Sequence, residues 1–369
     1  MKRIIFTVTN DLVYDQRMIR ICTSLAQAGY QVQLVGCQFR NSRPLTTQPY
    51  RQRRLATLFR TGVGFYAFYN LRLFLFLLFT PCEALCAIDL DTIMPVWLAG
   101  KLRGRQLVYD AHEYFSQQKE VISRPRIHRF WHWVERSFLP RFRYGYTVSP
   151  SIARVFRENY GVDYAVIRNL PLLKPPPAPA LSEKFILYQG AVNEARGLEY
   201  LVPAMKTVPL PLYIYGDGNF MEQTKKLVTL NNLSDKVFLK GKLRPDELPA
   251  ITASAFIGLN LVENNGLNQY YSLANKFFDY VQAGVPQVTM NFPEYRLIND
   301  EYQIALLIDD VQEASIAAAL NQLIENKSLY EALKANCRKA SEKLNWQEEE
   351  KKLLGFYKRI LDAASPTNC

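Results

Sequence analysis

The fold is decided by residues 256–286, FIGLNLVENNGLNQYYSLANKFFDYVQAGVP. The apolar start of this stretch, Phe256–Leu261, predicts a buried strand, and Asn275–Gln282 has the spacing of a helix that Gly284 closes. The same alternation of strand and helix runs back along the chain to Phe185. Strands separated by helices of about 10–15 residues are typical of βαβ units, so this half of the chain is predicted to fold around a parallel sheet.

The first half of the chain shows a similar order of elements. Ile4–Val8 predicts a strand, Arg17–Ala28 a helix and Gln31–Val35 the next strand. Between the halves lies a proline-rich segment that cannot continue a helix or a central strand. We therefore predict two Rossmann-like α/β domains, residues 1–170 and 182–344, with a linker at 171–181 and a C-terminal segment at 345–369. Ligands of open parallel sheets bind beyond the carboxyl ends of the strands, so the active site is expected in a cleft between the domains.

The composition excludes several classes of protein. Apolar residues make up 49% and charged residues 21% of the 369 residues, as in folded globular chains. The six cysteines form no C-x-x-C pair and there are three histidines, so we expect reduced thiols in a cytosolic protein, without a zinc module or a disulfide scaffold. The amino terminus has no signal-peptide pattern. The most apolar stretch contains Arg72 and falls short of the roughly 20 apolar residues that span a bilayer, so no membrane-spanning segment is expected.

Charge is distributed unevenly along the chain. Residues 1–175 contain 25 Lys and Arg against 11 Asp and Glu, whereas residues 176–369 contain 20 against 23. No acidic residue occurs between Asp15 and Glu83, a segment that holds nine arginines. Such a surface favours anionic partners, which are lipid headgroups, nucleic acid or phosphorylated substrates.

The start of the predicted helix at Asn275 has the features of a phosphate site. The first amides of a helix, here around Leu273 to Asn275, are expected to be unpaired, and they favour anions. Lys276 adds a cation, and Asp279 lies one turn further along, where a carboxylate accepts two hydrogen bonds from a ribose diol. The alternative is a core helix with Asn275 as its cap and Asp279 exposed.

Two further segments carry polar groups at the ends of predicted strands. In residues 188–197 a glycine, Gly190, lets a ligand approach the backbone, and Arg196 stands where it would clamp a diphosphate. The alternative is a strand-end turn with a solvated arginine. In residues 108–113, a neutral His112 would hydrogen-bond a sugar hydroxyl or a leaving phosphate, or would serve only the packing of the domain.

In this order, these three segments resemble the family 4 glycosyltransferases, which are retaining enzymes with the two-domain B-type (GT-B) fold. The resemblance extends over nearly the whole chain. Further segments that resemble the family's motifs are residues 11–17, 87–92, 146–149, 166–171, 215–218, 238–241 and 345–346. The last of these resembles the start of a helix that crosses back to the first domain.

The resemblance implies an enzyme that moves a sugar from a UDP- or GDP-linked donor to an acceptor hydroxyl, with retention and without a metal or other cofactor. The implied product is a surface polysaccharide or a lipid-linked glycan. The residues implied for catalysis are His112, Arg196 and Lys276. Those implied for the donor nucleotide are Gly190, Arg196, Gly216, Gly218, Gly241, Glu263, Ser272, Leu273, Ala274, Asn275, Lys276 and Asp279. Those implied for the acceptor side are Asp11, Asp15, Arg17 and Glu113.

The sequence departs from the family pattern in one place. Asp279 takes the position of the second carboxylate of the family's E-x7-E motif, but Tyr271 stands where the first glutamate belongs. Either Glu263 or backbone amides near Ser272 would then serve the donor sugar. A separate pair, Asp89 and Asp91, forms an Asp-x-Asp sequence that binds a divalent ion in A-type glycosyltransferases; in a B-type chain the cations are expected to replace that metal.

The basic first domain is expected to hold the enzyme at the inner face of the plasma membrane as a peripheral protein. Residues 65–78 suit an interfacial helix or, equally, a helix buried against the sheet. Three alternatives remain for the whole chain: a silent homologue of the same fold, a sugar-nucleotide epimerase, and a basic nucleic-acid-binding protein. The last fits the pI of about 9.2, but the chain has no nucleic-acid-binding motif, so no nucleic acid is expected as a partner. A nicotinamide dehydrogenase would need a glycine-rich turn after the first strand, which is absent here.

Overall fold

The structure, a computed structural model, describes residues 2–13, 15–175 and 177–363. It divides into two compact units. Unit 1 contains the chain up to Asn169 together with the segment from Glu349 onward, and unit 2 is Leu170–Glu348. Each unit has its own parallel sheet, as the alternation of elements in the sequence predicts.

Unit 1 is built on a sheet of seven parallel strands in the order β3-β2-β1-β4-β5-β6-β7. The strands are β1 (Arg3–Thr7), β2 (Gln31–Gln38), β3 (Arg51–Ala56), β4 (Ala84–Ile88), β5 (Gln106–Ala111), β6 (Tyr144–Thr147) and β7 (Ala165–Val166). The helices are α1 (Gln16–Gln27), α2 (Gly62–Phe79), α3 (Ile93–Arg103), α4 (Lys119–Ile122), α5 (Pro125–Phe138) and α6 (Pro150–Tyr160). The strand order reverses between β1 and β4, which places a crevice beyond their carboxyl ends.

Unit 2 is built on six parallel strands in the order β10-β9-β8-β11-β12-β13. The strands are β8 (Ile186–Gln189), β9 (Leu212–Tyr215), β10 (Val237–Gly241), β11 (Ile257–Asn260), β12 (Gln287–Met290) and β13 (Ala305–Ile308). The helices are α7 (Leu198–Ala204), α8 (Met221–Leu230), α9 (Leu248–Ser254), α10 (Leu267–Tyr270), α11 (Asn275–Ala283), α12 (Pro293–Tyr302), α13 (Glu313–Glu325) and α14 (Lys327–Ser341). Here the order reverses between β8 and β11.

The strand and the long helix predicted in the stretch at 256–286 are confirmed, with bounds that differ by one residue, and the short helix α10 between them was not predicted. Strand β11 is buried along its whole length, and Gly284 closes α11 with a φ of +68°, a conformation that glycine adopts without strain. The two aromatic rings at the start of α11, Phe277 and Phe278, lie in the core of unit 2. The buried side of α11 therefore fixes where its first turn lies beside β8 and β11.

The last helix, α15 (Trp346–Ala363), packs in unit 1. The ring of Tyr357 lies 5.9 Å from that of Phe6 on β1, and the ring of Phe356 lies 5.1 Å from that of Tyr146 on β6. The return of the C-terminal helix to the first domain is thus confirmed. Of the proline-rich segment, Pro176 lies outside the described residues, and the segment has no helix or strand in its described part.

Helix α2 coincides with the most apolar stretch of the sequence. In the described part of the chain it is long and apolar enough, by length and composition, to cross a membrane, although it contains Arg72. The expectation that no segment spans a membrane stays a prediction. One of its faces is buried in unit 1 through Phe65, Tyr69, Leu73 and Leu77. Core helices of soluble proteins pass the same test, but those are mostly buried, whereas most residues of α2 are not.

Candidate active site

The crevice of unit 2 is formed by the loops that follow β8 and β11. The Glu263 N–H donates to the Ala195 carbonyl at 3.0 Å, so the two loops lie side by side. The loop after β8 carries Gly190 with a φ of +121° and Ala195 with a φ of +62°. Positive φ at a residue other than glycine is strained and must be held by its surroundings, which indicates a loop of fixed shape.

Two glycines of the next loop fit closely against the loop after β8. A Cβ on Gly216 would lie 1.8 Å from the Gly190 carbonyl oxygen, and a Cβ on Gly218 would lie 2.2 Å from Oδ1 of Asn193. The Gly216 N–H donates to the carbonyl of Gly241 at 2.9 Å. Three of the glycines predicted to shape a nucleotide pocket are therefore brought to one edge of the sheet, with Gly190.

Lys276 extends from the first turn of α11 toward this loop. Its Nζ lies 4.0 Å from the centre of the Tyr188 ring, and a Cβ on Gly190 would lie 3.4 Å from Lys276 Cε. Burial, together with the positive charge of Arg196, lowers the pKa of Lys276 to about 7, although Asp279 opposes the shift. Two cations that repel each other are thus held at one place, and an anionic ligand relieves that repulsion.

Asp279 lies one turn after Lys276 and is oriented by a neighbour from β8. The Gln189 Nε2 donates to its Oδ2 at 3.2 Å, and the Gln189 Oε1 accepts from the Thr252 hydroxyl at 2.8 Å. Gln189 is buried, whereas Asp279 is half-buried. Gln189 was not predicted as a site residue, although its place as a polar residue at the end of a buried strand was the available signal.

The backbone at the start of α11 differs from the prediction. The Ala274 N–H is not unpaired, because it donates to the hydroxyl of Tyr295 at 3.0 Å. Ala274 is the N-cap and makes no side-chain cap bond, so the alternative with Asn275 as the cap is also wrong. Ser272 donates its hydroxyl to the Gln269 carbonyl at 2.9 Å, and Leu273 packs against the core.

Around the position of the missing glutamate, Glu263 is half-buried and accepts from the Asn265 amide at 2.9 Å. Tyr271 packs its ring 5.3 Å from that of Tyr270. Both Glu263 and the turn at Ser272 belong to the segment that joins β11 to α11. Both alternatives for the donor sugar stay predictions.

The crevice of unit 1 contains several carboxylates. Thr9, after β1, donates its hydroxyl to Asp91, after β4. Asp89 has a φ of +52°, and its Oδ1 accepts from the backbone N–H of His112 at 2.9 Å. Burial raises the pKa of Asp91 to about 6. Through these hydrogen bonds, Asp89 and Asp91 connect the loops that follow three neighbouring strands, β1, β4 and β5. Among the described residues, no group of three or more His, Cys, Asp or Glu side chains could hold a metal ion.

His112 belongs to a buried charge network. Its Nε2 lies 3.1 Å from Oδ2 of Asp110, and Nη2 of Arg17 donates to Oδ1 of the same carboxylate at 2.9 Å. Burial lowers the pKa of His112, but the charge and hydrogen bond of Asp110, with Asp89, outweigh burial and raise it to about 9. A pKa near 9 favours the imidazolium at pH 7, whereas a neutral imidazole was predicted from the sequence.

The residues predicted for the acceptor side have different surroundings. Arg17 is buried, and Nη1 also donates to the carbonyl of Ile167 at 3.1 Å, so it positions Asp110 and does not face an acceptor. Asp15 is the N-cap of α1 and accepts from the Met18 N–H at 3.0 Å. Asp11 makes a weak turn bond at 3.4 Å, and Glu113 accepts from Gln118. Residue 14, within the predicted acceptor loop, lies outside the described residues.

Comparison with known proteins agrees with this architecture. Residues 16–171 match the family described as Glycosyltransferase Family 4, and residues 173–340 match Glycosyl transferases group 1. A curated relative, the lipopolysaccharide core biosynthesis glycosyltransferase LpsD of Rhizobium meliloti, is 24% identical over 224 residues. That match covers 58% of this chain and spans 62% of the length of the relative.

Solved structures share the fold over nearly the full length. Sucrose-phosphate synthase from Thermosynechococcus elongatus has a TM-score of 0.81 at 15% identity, covering 99% of this chain and 100% of that one. HepE of Anabaena, solved in complex with UDP-glucose, has a TM-score of 0.75 at 13% identity, covering 97% and 100%. These likenesses define the class of protein as one of GT-B fold, with two Rossmann-like α/β domains. The chain belongs to the glycosyltransferases of the family 4 type.

Proposed function

We propose that this protein transfers a sugar from a nucleoside diphosphate sugar to an acceptor hydroxyl, with retention at the anomeric carbon. The observation that carries the proposal is the pairing of Arg196 and Lys276 with the carboxylate of Asp279 at the strand-order reversal of unit 2. Two cations complement a diphosphate, and a carboxylate one turn away complements a ribose diol. The UDP-glucose bound to the Anabaena neighbour supports the same class of donor.

In the proposed reaction, the bond between the anomeric carbon and the diphosphate oxygen breaks as a bond to the acceptor oxygen forms. Arg196 and Lys276 stabilise the negative charge that develops on the leaving diphosphate. The acceptor proton passes to that diphosphate on the same face of the sugar, since no side chain of the described site is placed as an evident base. The chemistry needs no metal or other cofactor, because the two cations supply the positive charge. The role of His112 at the transferred sugar stays a prediction from the family resemblance.

We further propose that the product belongs to lipopolysaccharide or another surface polysaccharide. The Rhizobium relative is named for lipopolysaccharide core synthesis, which supports a lipid-linked or glycan acceptor. The charge of +14 on residues 1–175 supports a location at the inner face of the plasma membrane, where the anionic lipid surface attracts basic segments.

The test is a thermal-shift panel on the purified protein without added metal, using UDP, GDP, ADP and NAD. We expect stabilisation by one of UDP or GDP, lost in Asp279→Ala and kept in the exposed control Asp235→Ala. A panel in which no nucleoside diphosphate stabilises the protein, or in which both variants behave alike, contradicts the proposal.

A second assay separates the proposal from the alternatives that keep the fold. Nucleotide sugar is incubated with the protein and membrane glycolipid, and the anomeric configuration of the product is measured by NMR. A silent homologue would bind the nucleotide sugar without releasing nucleoside diphosphate from it. An epimerase would convert the nucleotide sugar to a different one in the absence of acceptor.

A further inference from the structure

Helix α2 is apolar on the face that it turns to solvent as well as on its buried face. The buried stripe repeats every four residues from Phe65 to Leu77. A second stripe with the same spacing, displaced by two residues, is exposed: Val63, Ala67, Leu71, Leu75 and Phe79. Val63 is 86% and Phe79 is 82% exposed, and the helix is about 27 Å long. A helix that is apolar all round is normally covered on all sides.

Two further helices extend this exposed surface. The ring of Tyr66 on α2 contacts that of Trp131 on α5 at 5.2 Å, and Trp97 on α3 contacts Phe138 on α5 at 5.3 Å. Large apolar side chains are exposed on both helices: Leu98, Leu102, Ile127, Phe130 and Trp133. We name the exposed side of α2, α3 and α5 the three-helix face.

The charges of the three-helix face have one sign. Its helices carry the cations Arg72, Lys101, Arg103, Arg126, Arg129 and Arg136. Helices α2 and α3 contain no acidic residue, and the single acid of α5, Glu135, is buried and accepts from the Ser116 hydroxyl at 2.6 Å. The face therefore combines exposed aromatic and aliphatic groups with exposed cations and no exposed carboxylate.

We propose that the three-helix face binds the surface of an anionic lipid bilayer, with α2 lying in the plane of the interface. The apolar stripe and Trp133 enter the boundary between headgroups and acyl chains, and the cations meet lipid phosphates. The proposal rests on the proposed function, because it specifies the surface by which that enzyme reaches a membrane-bound acceptor.

The structure favours this orientation of α2 over a spanning one. The Tyr69 hydroxyl donates to the carbonyl of Val8 at 2.6 Å, and the stripe from Phe65 to Leu77 fills the core of unit 1. A spanning helix would have to leave these partners. In the membrane plane, α2 keeps its core contacts and covers its exposed stripe.

The charge pattern also favours lipid over a second copy of the chain. A two-fold dimer would place the same patch on both subunits and oppose cation to cation. A bilayer of anionic lipid instead supplies the complementary charge. Membrane binding through an apolar and cationic surface is expected to need both components.

The experiment measures co-sedimentation of the full-length protein with vesicles of phosphatidylcholine alone and with 30% phosphatidylglycerol. Leu71→Gln/Leu75→Gln removes apolar groups from the stripe, and Arg126→Gln/Arg129→Gln removes charge. Matched controls on unit 2 are Leu230→Gln/Leu297→Gln, whose leucines are 78% and 51% exposed, and Lys225→Gln/Lys226→Gln. Because all these side chains are exposed, the variants are expected to keep the wild-type melting temperature.

We expect binding to the anionic vesicles, weakened by about tenfold or more in both three-helix variants and unchanged in both controls. Equal loss in the control variants overturns the proposal. The proposal is also overturned if the wild-type protein shows only background vesicle binding and is a dimer in sedimentation velocity, and Leu71→Gln/Leu75→Gln dissociates that dimer. Stabilisation by nucleotide is measured on the same samples. If no nucleoside diphosphate stabilises the wild-type protein, the proposed function is contradicted. If nucleotide stabilises the protein but the protein does not bind vesicles, only the proposal of a lipid-binding face is contradicted.

Discussion

The two strand-order reversals of this protein have opposite chemistry, although both are built from parallel strands and the loops that follow them. In unit 2 the crevice holds Arg196 and Lys276, within the half of the chain whose net charge is slightly negative. In unit 1 the crevice holds Asp89, Asp91 and Asp110, within the strongly basic half. The net charge of a domain therefore does not predict which ionisable groups line its crevice.

The difference also concerns how the charges are satisfied. In unit 1 the carboxylate of Asp110 lies between Arg17 and His112, so each charge has a partner inside the fold. In unit 2 the cations repel each other, and Asp279 only partly offsets this. We infer that substitutions in the first crevice reduce the stability of the fold, whereas substitutions in the second reduce ligand affinity.

The largest expected effect is that of Arg17→Met. It leaves the fully buried Asp110 carboxylate with His112 as its remaining charged partner, and removal of one member of a buried ion pair costs about 3–5 kcal/mol. Urea unfolding measures the loss of unfolding free energy, while UDP or GDP affinity of the folded fraction is expected to stay unchanged. The control is Arg157→Met, which breaks an exposed pair with Asp163 and should cost less than about 1 kcal/mol. Similar losses in the two variants would contradict the comparison.

Lys276→Met is expected to have the reverse profile. Loss of one charge-assisted contact to a diphosphate weakens nucleotide affinity by about 10- to 100-fold. The free energy of unfolding should hold or rise, because a half-buried lysine that is repelled by Arg196 is replaced by an apolar chain of similar length. Isothermal titration with the preferred nucleoside diphosphate measures the affinity, and Lys225→Met on the exposed face of α8 is the control. If Lys276→Met binds the nucleoside diphosphate with normal affinity but has a lower free energy of unfolding, Lys276 serves stability and not ligand binding, which contradicts the comparison.

Gly216→Ala tests whether the loops of unit 2 must approach as closely as they do. An added Cβ would lie 1.8 Å from the Gly190 carbonyl oxygen, so the backbone of one loop has to move. The matched change, Gly241→Ala, is made at a φ of +73° with nothing within 4 Å of the new Cβ, and so adds backbone strain alone. We expect Gly216→Ala to weaken nucleotide binding by about tenfold and Gly241→Ala by less. Equal affinities in both variants would mean that strain, not the close approach, matters.

How far the sequence predicted these features depends on the kind of interaction. Strand and helix positions follow from local periodicity, and so β11 and α11 were predicted to within one residue, whereas the short helix α10 between them was not predicted. The Lys276 and Asp279 placement was also accessible, because both lie on one helix, at a fixed spacing of three residues. In contrast, the hydrogen bond from Gln189 to Asp279 joins residues far apart in the chain, and no local pattern indicates it.

The unit 1 network was mispredicted for the same physical reason. Arg17, Asp110 and His112 are brought together by strand pairing, which local spacing does not reveal. The family resemblance implied that Arg17 faces an acceptor, whereas its side chain is buried and donates to the Ile167 carbonyl. The exposed stripe of α2 was not predicted, for another reason. A helix that is apolar on all sides has the same sequence pattern whether one of its faces is buried or both are.

The smallest effect concerns the pH dependence of the two crevices. Since the pKa of Lys276 lies near 7, the lysine loses its charge as the pH rises from 7 to 8, and affinity for a nucleotide sugar should fall by about three- to tenfold. A nucleotide sugar is the right probe because its diphosphate has no group that titrates in this range. Lys276→Arg keeps its charge and should flatten the profile, whereas His112→Gln should leave the slope unchanged, because the pKa of His112 near 9 keeps it charged throughout.

Titration in buffers of different ionisation enthalpy should also show proton uptake on binding at pH 7.5 in the wild type and none in Lys276→Arg. If His112→Gln rather than Lys276→Arg abolishes the slope, the proton is taken up in unit 1, and the division of roles between the two crevices is wrong.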